Sequence, residues 1–203
     1  MSLDTTITSR IQRLQLGYVD YLILPGATCF GWGGIGPVLV AVALYAGFKA
    51  FFLTMLALAL GQAINRFLKV YLQRARPVKP SGVTRAVEIR VPGPDDPDGA
   101  SFPSGDTMAA SIVGAALAVS GCSPWWWLLG VYSGFGRVYF WCHFAGDVTA
   151  GYLNGCLSVL IVAKLSGNGS ALEWWHIFAA MLPFIVVMKV LKKLQLRKAR
   201  VAK

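Results

Sequence analysis

The segment from residue 103 to residue 120 reads PSGDTMAASIVGAALAVS. Its apolar run, Ser104–Ser120, approaches the length, on the order of 20 residues, that a helix needs to cross a lipid bilayer. Ser104 and Gly105 stand where that helix should begin, so its first N–H groups and the positive end of its dipole would face any anion bound there. The segment therefore predicts a membrane helix that starts at an anion site.

Composition extends this prediction to the whole chain. Of its 203 residues, 56% are hydrophobic and only 14% are charged, and the mean hydropathy is +0.57. A soluble core does not need so large an apolar share. Further apolar runs of bilayer-crossing length are Phe30–Ala46, Ala50–Leu68, Trp125–Phe144, Val148–Leu165 and Leu172–Leu191. We therefore expect an all-α polytopic membrane bundle of about six transmembrane helices, forming a single domain over residues 1–203.

The N-terminal part of the chain is less regular. Glycines interrupt Phe30–Ala46, so Tyr21–Phe30 could instead form a re-entrant or interfacial segment. Residues 1–17 carry apolar side chains at helical spacing, which suits either a short helix on the membrane surface or a frayed terminus. No cleavable signal peptide is recognisable.

Positive charge is distributed unequally between the two predicted membrane faces. The chain has 19 Lys and Arg against 9 Asp and Glu, a net charge of +10. With six spans, all of these cations except Lys49 and Lys164 lie on the face that carries both termini. Cationic flanks stay in the cytosol, so we expect that face to be cytosolic, with the basic tail 189–203 as an anchor or a contact for anionic lipids. The charge thus indicates a membrane partner and argues against nucleic acid.

Ionisable residues gather at the predicted ends of different spans. Lys69 is followed seven positions later by Arg76. Arg137 is followed six positions later by His143, and Asp147 comes four positions after that. If the flanking helices continue through these residues, Lys69 and Arg76 share one helix face, and His143 and Asp147 share another.

These residue types suit a site for phosphoryl chemistry. A phosphoryl group at its transition state spreads negative charge over its oxygens and needs several fixed cations and donors. Taken singly, the basic residues could be interfacial side chains that reach into water, and a lone histidine is usually structural. Their convergence at one membrane face favours a common anion site. The sequence shows no metal-ligand cluster, and its scattered cysteines are expected to be buried thiols.

The three blocks resemble the pattern of the type 2 phosphatidic acid phosphatase superfamily. That pattern reads K-x-x-x-x-x-x-R-P, then P-S-G-H, then S-R-x-x-x-x-x-H-x-x-x-D. The chain matches it at Lys69, Arg76, Pro77, Pro103, Ser104, Gly105, Arg137, His143 and Asp147. It departs from it at Gly136, which replaces a serine, and at Asp106, which replaces a histidine.

The resemblance implies a membrane phosphatase acting on a lipid phosphate. In such an enzyme His143 attacks phosphorus to form a phosphohistidine, and Asp147 orients the imidazole. The phosphate-binding residues would be Lys69, Arg76, Ser104, Gly105 and Arg137. No metal or other cofactor is implied, because the basic residues supply the positive charge.

The replacement of the family's histidine by Asp106 leaves more than one function open for the site. The family's histidine protonates the leaving oxygen, so Asp106 either takes over that role or has no part in catalysis. Weak acid assistance would favour substrates with good leaving groups, such as prenyl or other lipid diphosphates over phosphatidic acid. The alternatives are a non-catalytic phospholipid-binding scaffold and a lipid phosphotransferase whose phosphohistidine reacts with a lipid alcohol. Soluble vanadate haloperoxidases share the motifs, but the predicted spans argue against them.

Overall fold

The structure is a computed structural model that describes residues 3–31, 33–93, 96 and 99–166. These described residues form α-helices, short 3-10 helices and loops, with no strand among them. The α-helices are α1 Leu3–Gln12, α2 Asp20–Thr28, α3 Ile35–Leu72, α4 Gly105–Val119, α5 Leu128–Tyr139 and α6 Ala145–Leu165, and the 3-10 helices are Gly17–Val19 and Pro124–Trp127. The predicted all-α bundle is confirmed. The predicted sixth span, Leu172–Leu191, and the basic tail lie outside the described residues.

Helix α3 is two helical limbs joined at a sharp bend. Gly47 has φ 81° and ψ 174°, a conformation that is essentially confined to glycine. The first limb starts near Asp106, because a Cβ added at the preceding Gly31 would come within 3.2 Å of Oδ1 of Asp106. Near the end of this limb, Tyr45 packs on Trp126, which lies beyond the C-terminal end of α4. The second limb returns to bring Asn65 beside Gly105. The bend therefore separates the first two predicted spans, although the first helix begins at residue 35 rather than 30.

Among the described helices, α3 and α6 are long and apolar enough to cross a membrane, and α4 is a shorter apolar helix. Helix α5 is shorter than the predicted span Trp125–Phe144. Its N-terminal side is a 3-10 turn that starts at Pro124, and at its C-terminal side Trp141 takes a left-handed conformation with φ 57°. These local backbone features limit α5 to 12 residues.

Helix α4 lies at the centre, between α3, α5 and α6. Its alanines, among them Ala109, Ala110 and Ala115, are buried. Helix α6 approaches it closely because Gly151 and Gly155 face the α4 backbone, where a Cβ would collide with main-chain atoms. This contact joins the start of α4 to the start of α6, and the backbone N–H of Ser104 donates to the carbonyl of Asp147 at 3.0 Å.

The predicted N-terminal helix is present as α1, but its orientation differs from that of a simple surface helix. Ile11 packs on the core beside Ile23 and Tyr139, whereas Leu3 and Ile7 are exposed. Thr8 is buried where its hydroxyl accepts from the N–H of Ala145 at the start of α6, and Gln12 is buried as well.

Candidate active site

One cavity of about 490 Å³ brings together six of the eight predicted site residues, and Ser104 and Asp147 do not line it. Its polar end is lined by Lys69, Arg76, Gly105, Asp106, Arg137 and His143. Its remaining walls are largely apolar and include Phe30, Ile35, Leu39, Phe51, Phe52 and Met55. The two limbs of α3 supply most of this apolar part, so the cavity runs from a charged end into the hydrophobic body of the bundle.

Lys69 and Arg76 converge, but not on one helix face as the spacing suggested. That prediction depended on the helix continuing through Arg76, but α3 ends at Leu72, where Gln73 takes a left-handed conformation, and Pro77 disfavours helix at the residue before it. Arg76 is instead held by the loops, donating from Nε to the carbonyl of Gly99 at 3.2 Å and from Nη1 to that of Cys142 at 2.7 Å. The ammonium of Lys69 donates to the carbonyl of Ala100 in the same loop.

His143 lies in the α5–α6 connection, two residues before α6 begins at Ala145. The prediction that it shares a helix face with Asp147 was therefore wrong, although the two side chains are neighbours at a separation longer than a hydrogen bond. Nδ1 of His143 is 3.7 Å from Oδ2 of Asp147, and Nε2 is 3.3 Å from Nη1 of Arg76. Because arginine can only donate, we assign the lone pair to Nε2 and the proton to Nδ1.

The surroundings of His143 keep its imidazole neutral. Burial lowers the pKa of His143 well below its usual value, and the positive charges of Arg137, Arg76 and Lys69 lower it further. A hydrogen bond with the main chain of Ser101 acts in the opposite direction and is the weakest of these effects. A neutral imidazole with a free nitrogen in the cavity is the form that can act as a nucleophile.

Asp147 is fixed by two other partners. Its Oδ2 accepts from the backbone N–H of Phe144, the N-cap residue of α6, at 2.9 Å. Its Oδ1 accepts from Nη1 of Arg74 at 2.7 Å, and Nη2 of Arg74 bonds to Asp4 at 2.6 Å. Sequence analysis missed Arg74, although its position two residues before Arg76 in a polar loop is a visible signal.

Ser104 and Gly105 differ in what they offer to a ligand. Ser104 is the N-cap of α4, which starts at Gly105 as predicted. The Ser104 hydroxyl is buried and lies 3.0 Å from the hydroxyl of Thr107, so it serves the cap. Gly105 lines the cavity, which leaves the first-turn N–H groups of α4 as the donors at this position.

Asp106 and Arg137 form an ion pair inside the cavity. Oδ2 of Asp106 is 2.6 Å from Nη1 of Arg137, and the same Nη1 donates to the carbonyl of Ala27 at 2.8 Å. The carboxylate thus lies on the guanidinium that a bound phosphate would need.

Asn65 is a second residue that the sequence analysis missed. It is buried, lines the cavity, and lies one helical turn before Lys69. Its Oδ1 has no hydrogen-bond partner among the described residues, and Nδ2 would be 3.2 Å from a Cβ on Gly105. A polar side chain within an apolar span, one turn from a motif lysine, was the available signal.

Groups of three or more acidic, histidine or cysteine side chains that could hold a metal ion do not occur in the described part of the chain. The four cysteines are free thiols, with Cys142 buried and the other three partly buried.

This arrangement of motifs belongs to a known class of proteins. The family model of the PAP2 superfamily matches residues 50–170, more than half of the chain. The chain therefore belongs to the PAP2 superfamily. No curated protein matches it.

Two solved structures share its fold. The crystal structure of LpxE from Aquifex aeolicus has a TM-score of 0.64 and 22% identity, covering 81% of this chain and 96% of that one. The transmembrane PAP2-type phosphatidylglycerolphosphate phosphatase from Bacillus subtilis has a TM-score of 0.61 and 19% identity, covering 84% of this chain and 87% of that one. With its apolar helices α3 and α6, the chain is a membrane protein of this fold.

Proposed function

We infer that the protein is a lipid phosphate or lipid diphosphate phosphatase that works through a phosphohistidine at His143. The observation that carries this proposal is a buried imidazole beside the cations of Lys69, Arg76 and Arg137, at the charged end of a cavity whose other walls are apolar. Membership of the PAP2 superfamily supports it, and so does the fold shared with a phosphatidylglycerolphosphate phosphatase.

In the first half of the proposed reaction, the lone pair on Nε2 of His143 forms a bond to phosphorus while the bond from phosphorus to the lipid oxygen breaks. Lys69, Arg76 and Arg137 stabilise the negative charge on the phosphoryl oxygens. The ring becomes positively charged, and Asp147 stabilises it from the Nδ1 side.

Asp106 is the proposed proton donor to the lipid oxygen. A phosphate that binds Arg137 removes the cation from Asp106 and places an anion beside it, and both changes favour a protonated carboxyl. In the second half, water bonds to phosphorus, the bond from nitrogen to phosphorus breaks, and Asp106 takes up the proton from water. Phosphate leaves and neutral His143 is restored.

The cavity supports a lipid substrate and leaves room for a diphosphate. Its apolar walls suit a hydrocarbon chain, while the charged end suits the phosphate. Arg66 and Arg90 line the same cavity in addition to the motif cations, which would favour the higher charge of a diphosphate such as a prenyl diphosphate.

A second candidate is a non-catalytic phospholipid-binding scaffold. The ion pair between Asp106 and Arg137 favours it, because the family's acid is replaced by a residue that neutralises one of the phosphate-binding cations.

A phosphate-release panel on purified protein in detergent separates the two candidates. We expect turnover of lipid monophosphates or diphosphates by the parent, and loss of turnover in His143→Ala. The variant His176→Ala, which changes the other histidine of the chain, serves as the matched control and should retain turnover. Tight phospholipid binding with no phosphate release in the parent would favour the scaffold.

A further inference from the structure

A line of charged side chains extends from His143 away from the cavity. Asp147 is followed by Arg74, with 2.7 Å between Oδ1 and Nη1, and Arg74 by Asp4, with 2.6 Å between Nη2 and Oδ2. Arg74, Asp4 and Asp147 are not among the described residues that line the cavity. These groups therefore act on the nucleophile from behind rather than on the substrate.

The side chain of Arg74 is fixed on several sides. Besides the two carboxylates, its guanidinium lies over the ring of Phe144, 4.1 Å from the centroid. The main chain is anchored as well, because the N–H of Ser101 donates to the carbonyl of Arg74 at 2.7 Å. A planar guanidinium held in this way imposes one orientation on the carboxylate of Asp147.

Helix α1 supplies the outer end of this line. Oδ1 of Asp4 accepts from the N–H of Gly146 at 2.8 Å, and the hydroxyl of Thr8 accepts from the N–H of Ala145 at 2.9 Å. The first N–H groups of α6, which have no partner within the helix, thus donate to side chains of α1. One Asp4 carboxylate therefore ties α1 to both α6 and Arg74.

We propose that Arg74, held by Asp4, is a positioning residue for the pair His143 and Asp147. Through Oδ1 of Asp147 it keeps Oδ2 turned toward Nδ1 of His143, and its charge partly neutralises the buried carboxylate. Its meaning for catalysis rests on the proposed function, but the geometry itself does not. Without Arg74, Asp147 keeps a buried charge with one partner fewer, and the N–H of Phe144 remains to hold its side chain.

The charge of Arg74 also affects the protonation of His143. The charged groups around the imidazole are the cations of Lys69, Arg76 and Arg137 in the cavity and Asp147 behind it. Removing the positive charge beside Asp147 strengthens the attraction of the carboxylate for a protonated imidazole, so the pKa of His143 should rise. Activity on the acid side, which requires neutral His143, should then be lost at a higher pH.

The kinetic test compares Arg74→Gln, Arg74→Lys and Asp4→Asn with the control Thr8→Ala. Asn at position 4 can still accept from Gly146 but loses the ion pair, whereas Thr8→Ala removes a bond between α1 and α6 without touching Arg74. We expect Arg74→Gln to lower kcat about 10- to 100-fold with KM unchanged, by analogy with the loss when a partner that orients a metal-binding histidine is removed. Its acid limb should move to higher pH. Arg74→Lys should recover part of the loss, Asp4→Asn should show a smaller loss, and Thr8→Ala should resemble the parent.

A second measurement does not depend on turnover. NMR of histidine ring nitrogens in the purified protein, with His176→Gln to isolate His143, reports its tautomer and pKa. The parent should show the neutral form protonated at Nδ1, and Arg74→Gln should titrate at higher pH. An unchanged His143 titration and unchanged kcat in Arg74→Gln would overturn the proposal. So would an equal shift in Thr8→Ala, which would leave only a docking role for α1.

The same pair of measurements separates this proposal from the proposed function. A parent without phosphate release, but with a His143 titration that moves in Arg74→Gln, would reject the phosphatase and keep the positioning role. If Arg74→Gln does not fold, as judged by gel filtration, Arg74→Lys and Asp4→Asn carry the test. A raised KM with an unchanged kcat in those variants would assign Arg74 to substrate binding and contradict the proposal.

Discussion

Asp106 and Arg137 determine how the charged end of the cavity meets a phosphate. In the structure the carboxylate is paired with the guanidinium at 2.6 Å. A phosphate that binds Arg137 would have to compete with this carboxylate for the guanidinium. The family's histidine, a cation or neutral group, would not compete for the arginine in this way.

Asp106→Asn should therefore affect two substrate classes unequally. An alkoxide leaving group needs a proton far more than a phosphate does, so kcat/KM for a lipid monophosphate should fall by about 10²–10⁴-fold, and for a diphosphate much less. Asp106→His should restore the family arrangement and improve monophosphate cleavage. Equal slowing of both classes, or faster turnover in Asp106→Asn, would contradict the role of Asp106 as proton donor.

Helix ends position the functional groups of this molecule. The start of α4, the connection that leads into α6 and the end of the second limb of α3 meet at the charged end of the cavity. The apolar runs in the sequence predicted the helices that lead there, because burial in lipid leaves the backbone few other choices. The loop geometry was less predictable: Arg76 reaches His143 from beyond the end of α3, and the spacing rule failed at Pro77.

The partners of Asp147 show where sequence reasoning stops. Its pairing with His143 follows from the motif, but Arg74 and Asp4 reach it across sequence separations that no local pattern specifies. The place of Arg74 beside Arg76 is a visible signal, but nothing in the sequence pairs it with Asp4. Only the docking of α1 on α6 brings them together, and that docking depends on tertiary contacts.

The bend at Gly47 can be tested with a matched pair of glycines. A Cβ at either Gly47 or Gly36 would meet no atom within 4 Å, but only Gly47 has positive φ, at 81°. Gly47→Ala should lower the free energy of unfolding by about 1–3 kcal/mol through backbone strain alone. Gly36→Ala, in the first turn of α3 and just before Pro37, should cost less than Gly47→Ala, because Gly36 does not have positive φ. Thermal unfolding in detergent measures both, and equal stability of the two variants would rule out a strained bend.

At the scale of the whole molecule, charge and hydrophobicity are segregated. The cavity has its cations at one end and its apolar walls between the limbs of α3, so a lipid can place its phosphate at the membrane face and its chain within the bundle. The proposed orientation puts the charged end in the cytosol, because all Lys and Arg except Lys49 and Lys164 fall on that side of a six-span chain.

Cysteine labelling tests this orientation. In a background without the native cysteines, Ser81→Cys in the exposed loop and Ser123→Cys at the opposite end of the bundle mark the two faces. In intact cells, an impermeant thiol reagent should label position 123 and leave position 81 unmodified until the membrane is opened. Labelling at 81 but not at 123 would reverse the assignment.

The central claim is that phosphorus passes through His143, and trapping the phosphoenzyme tests it most directly. The purified protein is incubated with a lipid phosphate or diphosphate, quenched with alkali, and its peptides are examined by mass spectrometry. The account predicts an acid-labile phosphoryl group on His143 that is absent in His143→Ala and present in His176→Ala. A phosphoryl group on another residue, or turnover that persists in His143→Ala, would contradict it.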